Sequence, residues 1–149
     1  MTHADSLLSV EARVINWGAG NRAVEAAALH AHRPPVCVNI PGVDVGGNLS
    51  AFLPTPGGPL LSIEIGIDKA YTPASFFFPT NRWREGLLSH SETVRPGIVR
   101  RPRFIAFGGD LPIVESGHRI GGIGVSGGTE EQDEHCAQAG LSLLGLTQT

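Results

Sequence analysis

The sequence predicts a single α+β domain over residues 1–149, in which helices pack against an antiparallel sheet. Apolar residues follow a helical period near both ends of the chain, and short apolar segments between glycine-rich turns indicate strands. The predicted order of elements is α, ββ, αα, βββ, α, and such segregation of strands and helices is typical of α+β domains. A chain of 149 residues can bury the core of one domain without further cross-links.

The first part of the chain predicts a helix followed by a β-hairpin. An apolar stripe predicts a helix over residues 6–32, which Pro34-Pro35 would end. A strand from Val36 to Ile40 is predicted to be interrupted at Pro41-Gly42. The partner strand runs from Leu49 to Leu53, after a turn whose glycines tolerate positive φ.

A second helical region follows the hairpin. Its apolar periodicity is carried by Leu60, Ile63, Ile67 and Ala70. Thr72-Pro73 resembles an N-cap followed by proline at the first helical position, which predicts a separate short helix over residues 74–78. Pro79-Thr80 repeats this pattern and starts a turn that carries Trp83. The aromatic residues Phe76, Phe77, Phe78 and Trp83 indicate core or a subunit interface.

The last part of the chain predicts three strands and a capped helix. Residues 86–102 are polar and contain proline, which predicts a loop. Thr129 and Gln132 have the spacing of a capping box, and the helix that they open is expected to end near Leu144. The three predicted strands are Phe104–Phe107, Leu111–Glu115 and Ile120–Val125.

Composition and charge exclude several classes of protein. The net charge is −3 and no run of lysine and arginine occurs, which argues against a nucleic-acid-binding protein. No apolar stretch reaches the 18 residues of a membrane span, and the N-terminus lacks the pattern of a signal peptide, so we expect a cytoplasmic protein. Cys37 and Cys136 lack zinc-site spacing; two buried thiols are favoured, and a disulfide stays open.

Two glycine motifs overlap between the last strand and the last helix. Gly122, Gly124 and Gly127 match GxGxxG, but a dinucleotide site also needs a βαβ unit and a later acidic residue. The alternative is a tight turn in which glycine avoids Cβ clashes. Ser126 has the spacing of a nucleophile elbow, yet downstream only Asp133 and His135 could complete a triad, and both lie on the following helix.

The same turn predicts an anion site. The N–H groups of Gly127, Gly128 and Thr129 open a helix, where a carboxylate or phosphate is favoured. The alternative is that Ser126 and Thr129 only cap the helix.

Lys69, Glu64 and several histidines are the remaining candidates for chemistry. Lys69 ends an apolar helix and is either a solvated residue or one that leans into a pocket, to bind an anion or transfer protons. Glu64 lies on the same helix. No pair of histidines has metal-ligand spacing, but one histidine suffices as an axial haem ligand. The candidates for this role are His30, His32, His90 and His118.

Three blocks of sequence resemble the GlcG/HbpS family, which includes the C-terminal domain of PduO-type proteins. The strongest block contains Phe107–Ile113, Gly121–Thr129 and Glu131–Asp133; the others contain Leu61–Ile65, Asp68–Thr72, Phe76 and Pro79-Thr80, and Val43–Leu49. The resemblance implies a five-stranded antiparallel sheet and homo-oligomers, often tetramers or octamers, with ligands near subunit contacts. Several members bind haem, and some degrade it or sense redox stress.

The resemblance also indicates pocket residues and two departures from the family pattern. Pro54–Gly58 replaces a charged turn that is common in the family, and Pro41-Gly42 disrupts the first strand. Both changes lie near the expected mouth of the pocket and point to a changed ligand. The matching pocket candidates are Lys69, Thr72, Thr80, Gly109, Pro112 and Ser126, joined by Gly127, Gly128 and Thr129.

Three hypotheses of function follow. The first is an oligomeric small-ligand-binding protein that holds haem or a similar planar anion, whose carboxylates would meet the glycine turn and Lys69. The second is a cofactor-independent enzyme of isomerase, lyase or hydrolase type, acting on a small organic acid or a biosynthetic intermediate, with Lys69, Glu64 or a histidine transferring protons. The third is a structural or regulatory protein with a vestigial pocket.

Overall fold

The computed structural model describes residues 8–32 and 35–146. They form one α+β domain with a four-stranded antiparallel sheet, flanked by helices. Its elements in chain order are α1 (Trp17–His30), β1 (Asn39–Asp44), β2 (Leu49–Pro54), α2 (Ser62–Ser75), α3 (Trp83–Gly86), α4 (Val94–Ile98), β3 (Asp110–Glu115), β4 (His118–Gly124) and α5 (Glu130–Leu143). Within this described part, no helix is long and apolar enough to span a membrane.

The sheet joins two hairpins through their inner strands. Its order is β2-β1-β4-β3, and every neighbouring pair is antiparallel. Helix α2 covers one face, where Gly66 lies against Pro41 of β1. Helices α1 and α5 cover the other face, where Gly140 of α5 packs against Ala23 of α1 and Ile123 of β4. Most of the buried apolar side chains lie between the sheet and these two helices.

The first helix is shorter than predicted, and its start has a local cause. The Asn16 side chain caps the helix by accepting a hydrogen bond from Gly18 N at 2.8 Å. One residue earlier, Ile15 N donates to Ile120 O at 3.0 Å, so the preceding backbone bonds to β4 instead of continuing a helix. Residues 6–7 and Pro34, which belong to the predicted helix and its end, lie outside the described residues.

The prediction that Pro41-Gly42 interrupts the first strand is wrong. Strand β1 runs through both residues, with an irregularity between Gly42 and Val43. On the side of β4, the regular ladder begins at Gly42 and a separate bridge joins Asn39 to Ser126, so Pro41 lies in the break between them, where a missing N–H is tolerated.

The predicted strand Phe104–Phe107 is absent, which makes the sheet four-stranded instead of five-stranded. The Thr72 hydroxyl provides the hydrogen bonds that a strand partner would otherwise make. It accepts from Ile105 N at 3.1 Å and lies 3.0 Å from Arg103 O. Phe104 is also drawn toward Trp83, with ring centroids 4.8 Å apart.

Two predictions between α2 and β3 are also wrong. Thr72-Pro73 does not start a new helix, because α2 continues through both residues to Ser75 and the Thr72 hydroxyl bonds back to Asp68 O. The stretch 86–102 is not simply a loop, since it contains α4 and a 3-10 turn at Leu87–Ser89. The expected turn after Pro79 is present, as a 3-10 turn at Thr80–Arg82.

The aromatic cluster forms a core beneath this segment. Trp83 is buried, and its ring centroid lies 4.8 Å from that of Phe76 and 4.7 Å from that of Phe78. Phe77 points elsewhere and is mostly exposed. These aromatic contacts pack the two ends of the segment 76–104 against each other, beside the sheet.

Candidate functional site

A buried ion pair connects α2 to the start of α5. Lys69 and Asp133 are each almost fully buried, and Lys69 Nζ lies 3.1 Å from Asp133 Oδ2 and 3.0 Å from Val125 O. Burial raises the pKa of the Asp133 carboxyl above its ordinary value, while the Lys69 ammonium opposes that rise. Both hydrogen-bonding partners of Lys69 are therefore internal groups of the protein.

Gly109 makes room for this ion pair. Its φ is +125°, and a Cβ there would lie 2.6 Å from Lys69 Nζ and 2.8 Å from both Val125 O and the Asp133 Cβ. A side chain would meet both an unfavourable backbone conformation and a filled space. The glycine at this position, which matches the family pattern, thus leaves the space that Lys69 and Asp133 occupy.

The glycine turn before α5 binds groups of the chain itself. Gly128 N donates to Asp133 Oδ1 at 3.0 Å, so a carboxylate does meet this turn, but it belongs to the protein. Thr129 and Gln132 form the predicted capping box, which occupies the Thr129 N–H. Thr129 caps the helix, as the capping alternative predicts, whereas Ser126 pairs with Asn39 through its backbone. The geometry does not support our expectation that ligand carboxylates meet this turn and Lys69.

The GxGxxG glycines are explained by close backbone packing. A Cβ on Gly122 would lie 2.2 Å from Ala70 O, and one on Gly124 would lie 2.3 Å from Gly66 O. Gly127 has a φ of +140°, and a Cβ there would lie 2.3 Å from Cys37 O. The first two allow α2 to approach β4, and the third allows the turn to approach the chain before β1, as the clash-avoidance alternative predicts.

Three further candidates, Ser126, Thr72 and Glu64, differ in burial and in their contacts. Ser126 is buried and exchanges backbone hydrogen bonds with Asn39, at 3.1 and 2.9 Å. Thr72 is buried and holds the Arg103–Ile105 backbone. Glu64 is solvent-exposed on α2, whereas Lys69 faces the interior, so the structure does not bring this predicted catalytic pair together.

Asp110 forms a second buried polar contact that our sequence reasoning missed. Its carboxyl is 1% exposed; Oδ1 accepts from Thr80 N at 2.9 Å, and Oδ2 contacts Thr80 Oγ1. Burial raises the pKa of Asp110 to about 7, against the opposing hydrogen bonds from Thr80 and the charge of Lys69, whereas Glu134 adds to the rise. The sequence feature that could have indicated this contact is an acidic residue that lies between Gly108-Gly109 and an apolar strand.

An open cleft of about 600 Å³ runs along the outer edge of β3, the last strand of the sheet. Its walls, which are about half apolar and half polar, come from the segment after α2, from β3 and from the end of α5, and Arg82 supplies a cation. The lining residues are Phe77, Pro79, Asn81, Arg82, Pro112, Val114, Ser116, Gly117, Leu141, Gly145 and Leu146. Of the predicted pocket residues, all of which are described, only Pro112 lines this cleft, while Thr80 lies between two lining residues.

The four candidate histidines are exposed and belong to three separate parts of the chain. His30 ends α1 and His32 follows it, whereas His90 stacks on Trp83 at a centroid distance of 6.4 Å. His118 begins β4 directly after Gly117, a cleft residue. Among residues 8–32 and 35–146, no group of three or more His, Cys, Asp or Glu side chains could hold a metal ion.

The two cysteines differ in exposure. Both are free thiols, so no disulfide joins them; Cys136 is buried and Cys37 is exposed. The prediction of two buried thiols is therefore wrong for Cys37. Burial raises the pKa of the Cys136 thiol to about 11, and the charge of Asp133 contributes to this rise.

The sheet has four antiparallel strands, with α2 on one face and α1 and α5 on the other. This arrangement is that of a class of small α+β domains. The family model described as haem degrading protein HbpS-like matches residues 15–142 of this chain. The chain therefore belongs to the HbpS-like family, which confirms the GlcG/HbpS resemblance seen in the sequence.

Individual relatives agree with this assignment. An uncharacterized 15.0 kDa protein from the dhaT-dhaS intergenic region of Citrobacter freundii is 35% identical over 127 residues, which cover 80% of this chain and 82% of that protein. The crystal structure of HbpS has a TM-score of 0.84 at 27% identity and covers 93% of this chain and 96% of its own. A crystallised PduOC–haem complex shares the fold, with a TM-score of 0.77 at 24% identity over 87% of this chain and 94% of its own.

Proposed function

We propose that this protein binds haem, or a similar planar anionic ligand, in the cleft along the outer edge of β3. The observation that carries the proposal is the cleft itself: about 600 Å³, with a lining that is about half apolar and half polar and includes an arginine. Pockets for cofactor-sized ligands have volumes of this order and combine apolar walls with a few polar groups. The haem named for HbpS-like proteins and for the PduOC complex supports this choice of ligand.

The lining residues fit the organic part of haem. Phe77, Val114 and Leu146 would contact the faces of the macrocycle, and burial of such apolar surface supplies most of the binding free energy. The Arg82 guanidinium would pair with a propionate, because its planar donors match a carboxylate. The proposal thus moves the ligand from the buried Lys69 and the capped glycine turn to an open site.

An axial ligand has to come from just outside the lining set. Among the described residues that line the cleft, none is a histidine, cysteine, methionine or tyrosine. Of the four candidate histidines, His118 adjoins the lining residue Gly117 and is exposed, so we assign this role to His118. Bound haem would supply iron for ligand or redox chemistry, and the chain's part is to hold it.

A haemin titration followed by absorbance through the Soret region tests the proposal. We expect a saturable band with one haem per chain, a several-fold loss of affinity in Arg82→Gln and an altered spectrum in His118→Ala. Arg84→Gln is the matched control for charge, because Arg84 is exposed on the same segment but does not line the cleft. His90→Ala is the control for histidine.

Two results would overturn the proposal. A flat titration excludes haem as the ligand. Binding that Arg82→Gln and His118→Ala leave unchanged excludes the cleft as the site.

The other functional expectations stay predictions. Within residues 8–32 and 35–146, no contact favours the enzyme hypothesis, since Lys69 has internal partners and Glu64 is exposed. The homo-oligomer implied by the resemblance, a tetramer or octamer, is checked by light scattering of the purified protein.

A further inference from the structure

Arg119 of β4 carries a hydrogen-bond donor that the rest of the described chain does not satisfy. Its Nε atom is buried and has no hydrogen-bond partner among the described residues. No carboxylate in that part of the chain forms a salt bridge with it, and Glu115 of the same hairpin pairs with Arg13 at 3.3 Å. A buried donor and an unpaired charge both cost free energy, so this guanidinium is suited to an acceptor that comes from outside the chain.

An irregularity in the sheet brings Arg119 to the cleft. The register of β3 with β4 shifts between Ile113 and Val114, which leaves Ile120 of β4 as an extra residue. Val114 pairs directly with Arg119, and directly paired residues of antiparallel strands point to the same face of the sheet. Because Val114 lines the cleft, the bulge turns Arg119 toward the same side.

The ring of Phe77 lies between the guanidinium and the cleft. Arg119 Cζ is 4.7 Å from the centroid of this ring, and Phe77 lines the cleft and is 59% exposed. The face of an aromatic ring attracts a cation, but it is a weak acceptor and leaves the charge uncompensated. Since little of the protein packs on its outer side, the ring can give way to a ligand that reaches Arg119.

The cleft therefore has two cations that come from different parts of the fold. Arg82 enters from the 3-10 turn after α2, and it is the only charged residue among the described residues that line the cleft. Arg119 enters from the β3–β4 hairpin, whose turn residues Ser116 and Gly117 also line the cleft. Two guanidinium groups without an acidic residue in the lining favour a ligand with two negative charges.

We propose that Arg119 is a second anion-binding residue of the cleft, so that the site takes a ligand with two anionic groups, one for each guanidinium. The planar fork of N–H donors on each arginine matches a carboxylate. This inference rests on the proposed function and narrows its ligand class to dianions, which include haem with its two propionates. Phe77 would then contact the organic part of the ligand instead of covering Arg119.

Esters of haemin test the inference on the unmutated protein. The probes are haemin, which has two free carboxylates, its monomethyl ester and its dimethyl ester. Each lost pairing with a guanidinium should weaken binding by about tenfold, so the dissociation constant should rise in two steps along this series. A series with one step, or with none, would overturn the inference, because at most one cation would then bind the ligand.

The variant Arg119→Gln identifies the residue responsible for one of these steps. We expect it to weaken haemin binding by about tenfold and to leave the affinity for the dimethyl ester unchanged, because that ester has no carboxylate to pair with Arg119. Equal losses for both probes would show that Arg119 only supports Phe77, and unchanged haemin binding would show no contact with the ligand. Either result overturns the inference. Arg84→Gln is the control for loss of an exposed charge, and circular dichroism checks that each variant is folded.

These outcomes distinguish the inference from the proposed function. If the wild type binds haemin but the ester series or Arg119→Gln gives a contrary result, haem binding stands and only the second anionic contact is wrong. If the wild type binds none of the three probes, the proposed function and the inference are both wrong.

Discussion

Lys69 Nζ lies 3.1 Å from Asp133 Oδ2, and this ion pair is buried on both sides. It connects the middle of α2 to the first turn of α5, across the glycine turn that carries the strongest family motif. Gly128 N donates to the other carboxylate oxygen at 3.0 Å, so a single carboxylate joins the ammonium to the turn. The residues most similar to the family pattern thus form an internal connection between α2 and α5.

Replacing Lys69 with methionine is expected to destabilise the protein by about 3–5 kcal/mol, because Asp133 would be left buried without its cation. The free energy of unfolding in urea measures the effect. The control is Glu64→Gln on the same helix, which is exposed and should change stability by at most about 0.5 kcal/mol.

The double variant Lys69→Met/Asp133→Asn checks the cause of that loss. Each single variant leaves one buried charge without its partner, and the double variant leaves none. The double variant should therefore lose less stability than the sum of the losses in the two single variants. Additive losses would show that the two side chains contribute separately.

Three glycine-to-alanine variants separate steric exclusion from backbone strain. Gly97 in α4 has open space around it and no positive φ, so alanine should be neutral or stabilise by up to about 1 kcal/mol. Gly117 has open space but a φ of +78°, so alanine should cost about 1–2 kcal/mol. Gly109 has both a positive φ and a filled space, and its variant should be the least stable of the three. Thermal unfolding ranks them, and any other order would contradict the packing described here.

The pKa of Asp110 predicts how stability depends on pH. It rises from 3.8 to about 7 in the folded state, so between those values the folded protein holds a proton that the unfolded chain loses. The contribution of Asp110 to stability is therefore fully present below about pH 4 and is lost as the pH rises through 7. Urea unfolding at pH 5 to 8 should show this decline in the wild type and a flatter profile in Asp110→Asn. Equal slopes in the two proteins would contradict the assignment.

The two thiols should react at very different rates. Cys37 is exposed, whereas Cys136 is buried and its thiol pKa is raised to about 11, which leaves little thiolate at neutral pH. A chromogenic disulfide reagent should label one thiol quickly in the native protein and the second only on unfolding. Cys37→Ser should remove the fast phase, and a fast phase that persists would assign it to Cys136.

Much of the fold was predictable from local signals. The hairpin turns, the Thr129–Gln132 capping box and the periodicity of α2 act within a few residues of the chain, so the sequence alone indicates them. Errors arose where a distant group took part. Thr72 holds the 103–105 backbone from across the fold, and Ile120 takes the hydrogen bond of Ile15, so a predicted strand is lost and a predicted helix shortens.

The sequence by itself determined the α+β class, the family and the residues of the glycine turn, because each depends on residue types at short spacing. Only the tertiary structure decided what those residues do. It paired Lys69 with Asp133, 64 positions away, and placed Asp110 against Thr80, 30 positions away. Burial then changed the chemistry of these groups, since a carboxyl removed from water is easier to protonate. The cleft likewise exists only where the turn after α2, strand β3 and the end of α5 meet.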